Sequence, residues 1–437
     1  MNGLIMAAQL ILGLSILVVL HELGHYLAAR AFGIRVEKFY LFFDAFKFKL
    51  FSFKKGDTEY GIGWLPLGGY VKISGMVDES LDREQLKKEP QPWEFRSKPA
   101  WQRLIVMLGG VTVNAILGVI LFAFVLLHYN RAYLPNDSVK DGIYAYELGR
   151  KAGFLPGDKI LSVEGRKVER FKDILSTKAF FGTDIMVQRG QDTVHIEVPK
   201  DFYRMLSASP GARIIGPENY CFAVDSVVPD LNAAAAGLLA GDSILMLDSL
   251  NVSSWGAFSE MIQGKKGETV EMMIRRDTAL LSLQVTVDSS GIIGFYARSQ
   301  EYETKPYHVG SAIRYGFKDA MDILTANIKG FGKILSGKEK ASESLQGPIG
   351  IAQIYGSIWD WSRFWFITGL LSLILAFMNI LPIPALDGGH VIFLTIEAIT
   401  GRKFSDSFME KAQLAGMIIL LGLMAFAIGN DIFKLFK

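Results

Sequence analysis

The stretch ILVVLHELGHYLAARAFG, residues 16–33, decides how the chain is read, because it closes an apolar run that begins near Leu4 and ends on His21, Glu22 and His25. Polar groups of this kind are costly at bilayer depth, so they call for a partner or a function. On a helix His21 and His25 stand one turn apart on one face, with Glu22 beside them. This HExxH spacing supplies two imidazole ligands for zinc and a carboxylate placed to act as general base. A third protein ligand has to come from elsewhere in the chain.

Composition agrees with a membrane setting. The chain has 437 residues, of which 50% are hydrophobic, which is too long for one ordinary domain and too apolar for a purely soluble one. A formal net charge of +2 carries no signal for nucleic acid. The single cysteine, Cys221, excludes an intramolecular disulfide and a cysteine-rich metal site, so any metal is held by His, Asp or Glu. Four segments, Leu4 to Leu20, Leu104 to Leu127, Phe364 to Leu386 and Ala412 to Asn430, lack charge over the about 17–25 residues that a spanning helix needs. A cleaved secretory signal is the rival reading of the first. No Lys or Arg precedes it, and it runs directly into HELGH without a convincing cleavage site.

The basic residues set the expected orientation. Arg30, Arg35, Lys38, Lys47, Lys49, Lys54 and Lys55 follow the first segment, and Arg96, Lys98 and Arg103 lead into the second. By the positive-inside rule this loop is cytoplasmic and the N-terminus is outside. Arg402, Lys403 and Lys411 place the connection between the third and fourth segments on the same side. The first and third segments then run in the same direction and end at similar depth. The third ends in Asp387-Gly388-Gly389-His390, so Asp387 is the first candidate for the missing ligand, and His390 competes with it or orients it. His128, His195 and His308 lie at or beyond the outer ends of segments and read as ordinary surface residues.

The stretch TEYGIGWLPLGGYVKISGM (58–76) alternates in polarity among glycines, which suits short strands joined by tight turns. It reads either as an ordinary cytoplasmic hairpin or as a re-entrant one, since non-helical backbone is tolerated at membrane depth where protein covers it or it lines a cavity. The charged segment DESLDREQLKKEPQPWEF (78–95) reads as a solvent-side connector or surface helix.

Between the second and third segments lies an internal repeat. KAGFLPGDKILSVEG (151–165) matches AAGLLAGDSILMLDS (235–249) in the frame Ala-Gly, three residues, Gly-Asp, one residue, Ile-Leu. The long period means two small domains in tandem. Beyond them, residues 308–335 carry apolar residues at helical spacing among Lys and Arg. They read as an amphipathic helix on the membrane surface or packed on the bundle.

Together HELGH, the 58–76 stretch and MNILPIPALDGGHVIF (378–393) resemble the site-2 protease family of intramembrane zinc metalloproteases, over nearly the whole chain. The resemblance implies zinc held by His21, His25 and Asp387, Glu22 as general base, and substrate-binding roles for Asn379, Pro382 and Pro384. In the hairpin, Gly63 and Trp64 are expected to meet substrate. The repeats resemble PDZ domains, which capture extended peptides along a sheet edge. Here they either bind peptide or gate access by contacting substrate ectodomains. The family's usual GxG element is replaced by Phe43-Asp44-Ala45, and its Gly-Pro before an Asn by Gly110-Val111 before Asn114.

The expected fold is therefore a multi-domain integral membrane protein with four transmembrane α-helices, a re-entrant β-hairpin and two tandem PDZ-like α+β domains. Its parts are helix 1 with HExxH (1–30), a β loop (31–99), helix 2 (100–130), PDZ-like domains (138–200 and 220–298), an amphipathic helix and linker (305–345), helix 3 with LDGGH (363–390) and helix 4 (411–434). Expected partners are membrane lipid and single-span membrane proteins, such as anti-sigma factors or remnant signal peptides. The expected site is a bacterial inner membrane, with the PDZ-like domains periplasmic and the active site near the cytoplasm. A catalytically idle scaffold and a metal-ion transporter are the alternative functions. Intact HELGH and LDGGH argue against the first, and the scarcity of polar residues across the spans against the second.

Overall fold

The computed structural model describes residues 2–66, 68–76, 89–129, 131–175, 184–199, 202, 205, 213–218, 223–298, 304–337 and 346–435. The expected surface helix within 78–95 lies largely outside these residues. Two compact units emerge, one of residues 1–131 with 307–437 and one of residues 132–306.

In the first unit, helix α1 (Asn2–Ala31) runs unbroken from the apolar segment through His21, Glu22 and His25. Its apolar half belongs to the bundle core, with Leu17 fully buried among Tyr355, Phe364, Ile367 and Leu371. The chain then forms β1 (Val36–Leu41), β2 (Lys49–Lys55), β3 (Thr58–Gly63) and β4 (Tyr70–Ile73) before α2 (Ala100–His128). The expected hairpin across residues 58–73 is not made. The strand order is β2-β3-β1-β4, so β1 lies between β3 and β4, pairing parallel with one and antiparallel with the other. The hairpin is instead β2 with β3, and the chain crosses from β3 to β4 over the end of β1. Alternating polarity reports which residues suit strands but not which strands are neighbours.

Helix α2 meets α1 where Gly24 and Gly109 face each other. A Cβ on either glycine would run into the backbone carbonyl of the other. Small residues at such a crossing let two helix backbones touch, the usual way to gain packing between apolar helices in lipid. Around the same crossing, Ala29, Ile34, Val36, Ile73, Phe95, Val106, Met107 and Leu394 form one buried cluster joining α1, the sheet and α2.

The second unit opens with β5 (Ala132–Tyr133) and contains the two repeats. The first has β6 (Ile143–Ala145), α3 (Glu147–Lys151), β7 (Lys159–Val163), β8 (Arg166–Lys167), β9 (Asp184–Arg189), β10 (Asp192–Glu197) and β11 (Ile215–Pro217). The second has β12 (Val224–Val227), α4 (Asn232–Ala235), β13 (Ser243–Leu247), β14 (Leu250–Asn251), α5 (Trp255–Gln263), β15 (Thr269–Arg276), β16 (Ala279–Thr286) and β17 (Phe295–Ala297). Matching sheets, β10-β9-β7-β8 and β16-β15-β13-β14, each cover a core of their own.

The shared Gly-Asp frame has a physical cause. Asp158 is buried and accepts from the Leu155 amide and the Arg189 guanidinium; Asp242 accepts from the Leu239 amide and Arg276 in the same way. Each arginine also donates to a turn carbonyl, that of Gly153 or Gly237. A buried carboxylate that is paired and hydrogen-bonded fixes the turn ahead of each central strand. The repeats meet through Glu260 of α5, which accepts from Tyr144 at 2.7 Å and from both terminal nitrogens of Arg150 at 2.7 and 3.0 Å.

Residues 305–306, strand β18 (Lys305–Pro306), pair with β5 and close the second unit. The chain then forms α6 (Val309–Leu335), α7 (Pro348–Tyr355), α8 (Trp361–Ile380), α9 (Asp387–Thr400) and α10 (Asp406–Leu435). The amphipathic helix α6 packs on the bundle, with Ala320 buried against Phe122 and Leu373. Helix α7 begins at Pro348, and the buried carboxylate of Asp431 in α10 accepts from the amides of Gly347, Ile349 and Gly350 at 2.9 Å each. That charged cap satisfies helix-end donors otherwise left without partners in the bundle. The third apolar segment does not run as one helix to Leu386: α8 stops at Ile380, and Asp387 opens α9. Pro382 and Pro384 lack the amide hydrogens that a continuing helix requires. Among the described residues four helices, α1, α2, α8 and α10, are long and apolar enough to cross a membrane.

Two consequences are measurable. Gly109→Val forces α1 and α2 apart and is expected to cost about 1–3 kcal/mol of overpacking strain, lowering the thermal midpoint of the detergent-solubilised protein; an unchanged midpoint contradicts the tight crossing. The Arg150 guanidinium holds the Glu260 carboxyl below its ordinary range. Its contribution is present above the unfolded carboxyl pKa and is lost as pH falls through the folded one. Glu260→Gln in residues 132–306 expressed alone is expected to cost about 1 kcal/mol near neutral pH. Urea titrations should show the cost shrinking as acid protonates the carboxyl, and a pH-independent cost contradicts the assignment.

Candidate metal centre

The unbroken course of α1 through HELGH sets His21 and His25 on the face turned toward α2, and the break after Ile380 brings Asp387 to meet them from the first turn of α9. His21 Nε2 lies 3.1 Å from His25 Nε2 and 3.2 Å from Asp387 Oδ2, and His25 Nε2 lies 3.4 Å from the same oxygen. These three atoms form a nearly equilateral triangle. A tetrahedral zinc ion with bonds of about 2.0–2.1 Å sets neighbouring ligand atoms about 3.3–3.4 Å apart, so the triangle has the right size.

The surroundings also fit a cation. Asp387 Oδ2 is buried and has no hydrogen-bond partner among the described residues, so a carboxylate oxygen is left facing two imidazole nitrogens. Two neutral imidazoles and a carboxylate are a donor set that a divalent ion completes. His25 Nδ1 lies 2.8 Å from the Val106 carbonyl, which fixes the ring with its proton there and its Nε2 lone pair toward the triangle. Gly110 of α2 makes room for both rings, since a Cβ on it would press on His21 and on His25 Nε2. Among the described residues, His21, His25 and Asp387 form the one cluster with ligand atoms close enough to share an ion. His390 is buried beside this cluster and lines the same cavity as Gln413 of α10, outside the group of three.

The triangle opens on a cavity of about 650 Å³. Glu22 lines it, together with Tyr70, Val71, Lys72 and Ile73 of β4. Asn379, at the end of α8, also lines it and sets its amide nitrogen 3.3 Å from His21 Nε2. Of the residues expected from sequence, His21, Glu22, His25, Asp387 and Asn379 therefore converge. Pro382 and Pro384 shape the turn between α8 and α9 and are not among the cavity's lining residues. Gly63 and Trp64 also lie off the lining. Gly63 packs beneath the Phe43 carbonyl, and Trp64 donates to the Ala45 carbonyl at 2.9 Å. The crossing of β1 between β3 and β4 is the reason: it puts β4, not the end of β3, at the cavity.

Sequence reasoning passed over a polar group on the same wall. Asp44 accepts from Lys38 and from Tyr70, each at 2.8 Å, and Phe43 stacks on Tyr70. Asp44 sits in the segment that replaces the GxG element, and Lys38 was read only as a cytoplasmic charge. Their meeting depends on the pairing of β1 with β4, which no local pattern reports.

Comparison with known proteins agrees with this geometry. The family model described as peptidase family M50 matches residues 9–423. The chain is 31% identical to the metalloprotease MmpA of Caulobacter vibrioides, over 98% of this chain and 96% of that protein. It is 29% identical to the regulator of sigma-E protease RseP of Escherichia coli, over 98% of both chains. It is 26% identical to a putative zinc metalloprotease of Vibrio cholerae, over 97% of this chain and 98% of that protein. With a family match across almost its full length and a buried ligand triangle at the matching motifs, the chain belongs to peptidase family M50, as an intramembrane metalloprotease of the site-2 type.

Proposed function

We propose that this protease holds zinc through His21, His25 and Asp387 and uses Glu22 as its general base to cut transmembrane segments of single-span membrane proteins. The triangle of ligand atoms at 3.1–3.4 Å beside the Glu22 carboxylate is the observation that carries this reading. Bound there, zinc would supply a Lewis acid for the scissile carbonyl and a water acidic enough to react at neutral pH.

Glu22 takes the proton of the attacking water and returns it to the leaving nitrogen, the task of a carboxylate within reach of both. Strand β4 borders the cavity beside that carboxylate. A transmembrane helix hides its peptide bonds in its own hydrogen bonds, so the substrate has to unwind before it is cut. Asn379 suits the unwound strand, because its amide both donates and accepts. The Pro382 and Pro384 turn ends α8 beside it, which frees main-chain groups at that depth.

The proposed substrates are anti-sigma factors and remnant signal peptides, supported by the sigma-E regulator name of several relatives and by an active site set among membrane helices. The proposed home is the bacterial inner membrane, with the two repeats outside the cytoplasm and the metal near its cytoplasmic side. The sheet of residues 36–73 is read as re-entrant, since its strand β4 lines the same cavity as Glu22. The repeats are read as PDZ-like domains that gate access by contacting substrate ectodomains. The Glu260 link between them supports one jointed body over two independent peptide traps.

Cleavage of a single-span substrate in detergent tests the chemistry. Glu22→Gln is expected to lower the rate by about 10²–10⁴-fold while its zinc content stays that of the wild type. Retained cleavage contradicts Glu22 as base. A chelator is expected to abolish wild-type cleavage and added zinc to restore it; cleavage that survives complete metal removal contradicts the metal mechanism.

A further inference from the structure

The two histidines of the triangle are not held alike. His25 has its Nδ1 on a main-chain carbonyl of α2, which fixes its tautomer. Among the described residues His21 has no such carbonyl. Its Nδ1 lies 3.2 Å from the side-chain amide of Asn114, also in α2, while its Nε2 points at the triangle. Asn114 is fully buried, and its Oδ1 has no hydrogen-bond partner among the described residues.

These observations constrain each other. For Nε2 of His21 to offer a lone pair to a metal, the proton of the neutral ring has to sit on Nδ1, where it needs an acceptor. Facing Nδ1 with the Asn114 amide nitrogen sets donor against donor and leaves a buried oxygen unpaired. A half-turn of the carboxamide exchanges its oxygen and nitrogen without moving the rest of the side chain. It places Oδ1 on the Nδ1 proton and turns the amide nitrogen to where the oxygen stood. Fully buried Ser372 of α8 also donates to the Asn114 main-chain carbonyl at 2.7 Å, a contact between the two helices that does not involve the carboxamide.

We propose that Asn114 is a positioning residue for the metal centre, accepting the Nδ1 proton of His21 through Oδ1 and so holding its Nε2 lone pair toward the ion. This inference rests on the zinc reading of His21, His25 and Asp387. It gives α2 one acceptor for each imidazole, a main-chain carbonyl for His25 and a side-chain oxygen for His21. The residue acts through His21, so its removal is felt first in metal affinity.

Zinc affinity of the full-length protein, measured by competition with a chromophoric chelator, tests the assignment. Asn114→Leu keeps the size and loses the acceptor, and is expected to weaken zinc binding by about 10–100-fold. Asn114→Asp keeps an oxygen at the same place and is expected to stay within a few-fold of the wild type. Ser372→Ala loosens the same helix contact without touching His21 and is expected to bind zinc like the wild type. An Asn114→Leu protein with wild-type affinity overturns the assignment, as does an Asn114→Asp protein as weak as Asn114→Leu. A fall in Ser372→Ala equal to that of Asn114→Leu assigns the effect to packing and overturns it too. Wild-type protein that binds no stoichiometric zinc overturns this inference together with the metal reading beneath it.

Discussion

Two imidazole nitrogens and a carboxylate oxygen held within 3.4 Å of one another, among helices apolar enough to cross a membrane, are the constraint on which the rest depends. In water such groups separate or exchange protons freely. In a bundle of low polarity, an unpaired carboxylate oxygen is expensive and a divalent cation offsets it. The surrounding structure is arranged to keep the three atoms together. The α1–α2 crossing at Gly24 and Gly109 brings the histidine face against α2, Gly110 leaves room for the rings, and the proline turn after Ile380 delivers Asp387 at the start of a new helix.

The same arrangement explains why the site can act on a peptide within a membrane. Closing the ligand triangle uses one side of the cluster; the other side is the cavity, where Glu22, Asn379 and β4 meet. A helix that simply continued past Ile380 would carry Asp387 onward along its axis. A break at that depth costs helix hydrogen bonds but brings the Asp387 carboxylate against His21 and His25. Asp431, reaching from α10 to cap α7, ties the last helix to the bundle by charge where apolar packing alone gives little direction.

Much of this was legible in the sequence, and what was not shares one cause. HELGH could be read because its spacing is a property of a single helix, and the four apolar segments because a bilayer sets their length. The Gly-Asp repeat was visible because the same buried network is built twice, although its partners Arg189 and Arg276 lie far along the chain and carry no local signal. The hairpin expected across residues 58–73 failed for the same reason. Strand pairing is a long-range property, and β1 takes the place between β3 and β4. Gly63 and Trp64 were consequently displaced from the site. Lys38 and Tyr70 joined its wall unannounced, with Asp44 of the segment that replaces the GxG element. Asp387 was reached through an argument about depth, in which two segments running the same way end together, and through the resemblance of its LDGGH stretch.

X-ray absorption at the zinc edge of the purified, uncleaved protein tests the central claim most directly. The account predicts one zinc per chain in a four-coordinate shell of nitrogen and oxygen at about 2.0–2.1 Å, with the scattering pattern of two imidazole rings. A shell with no imidazole, or metal bound only in substoichiometric and variable amounts, would contradict it.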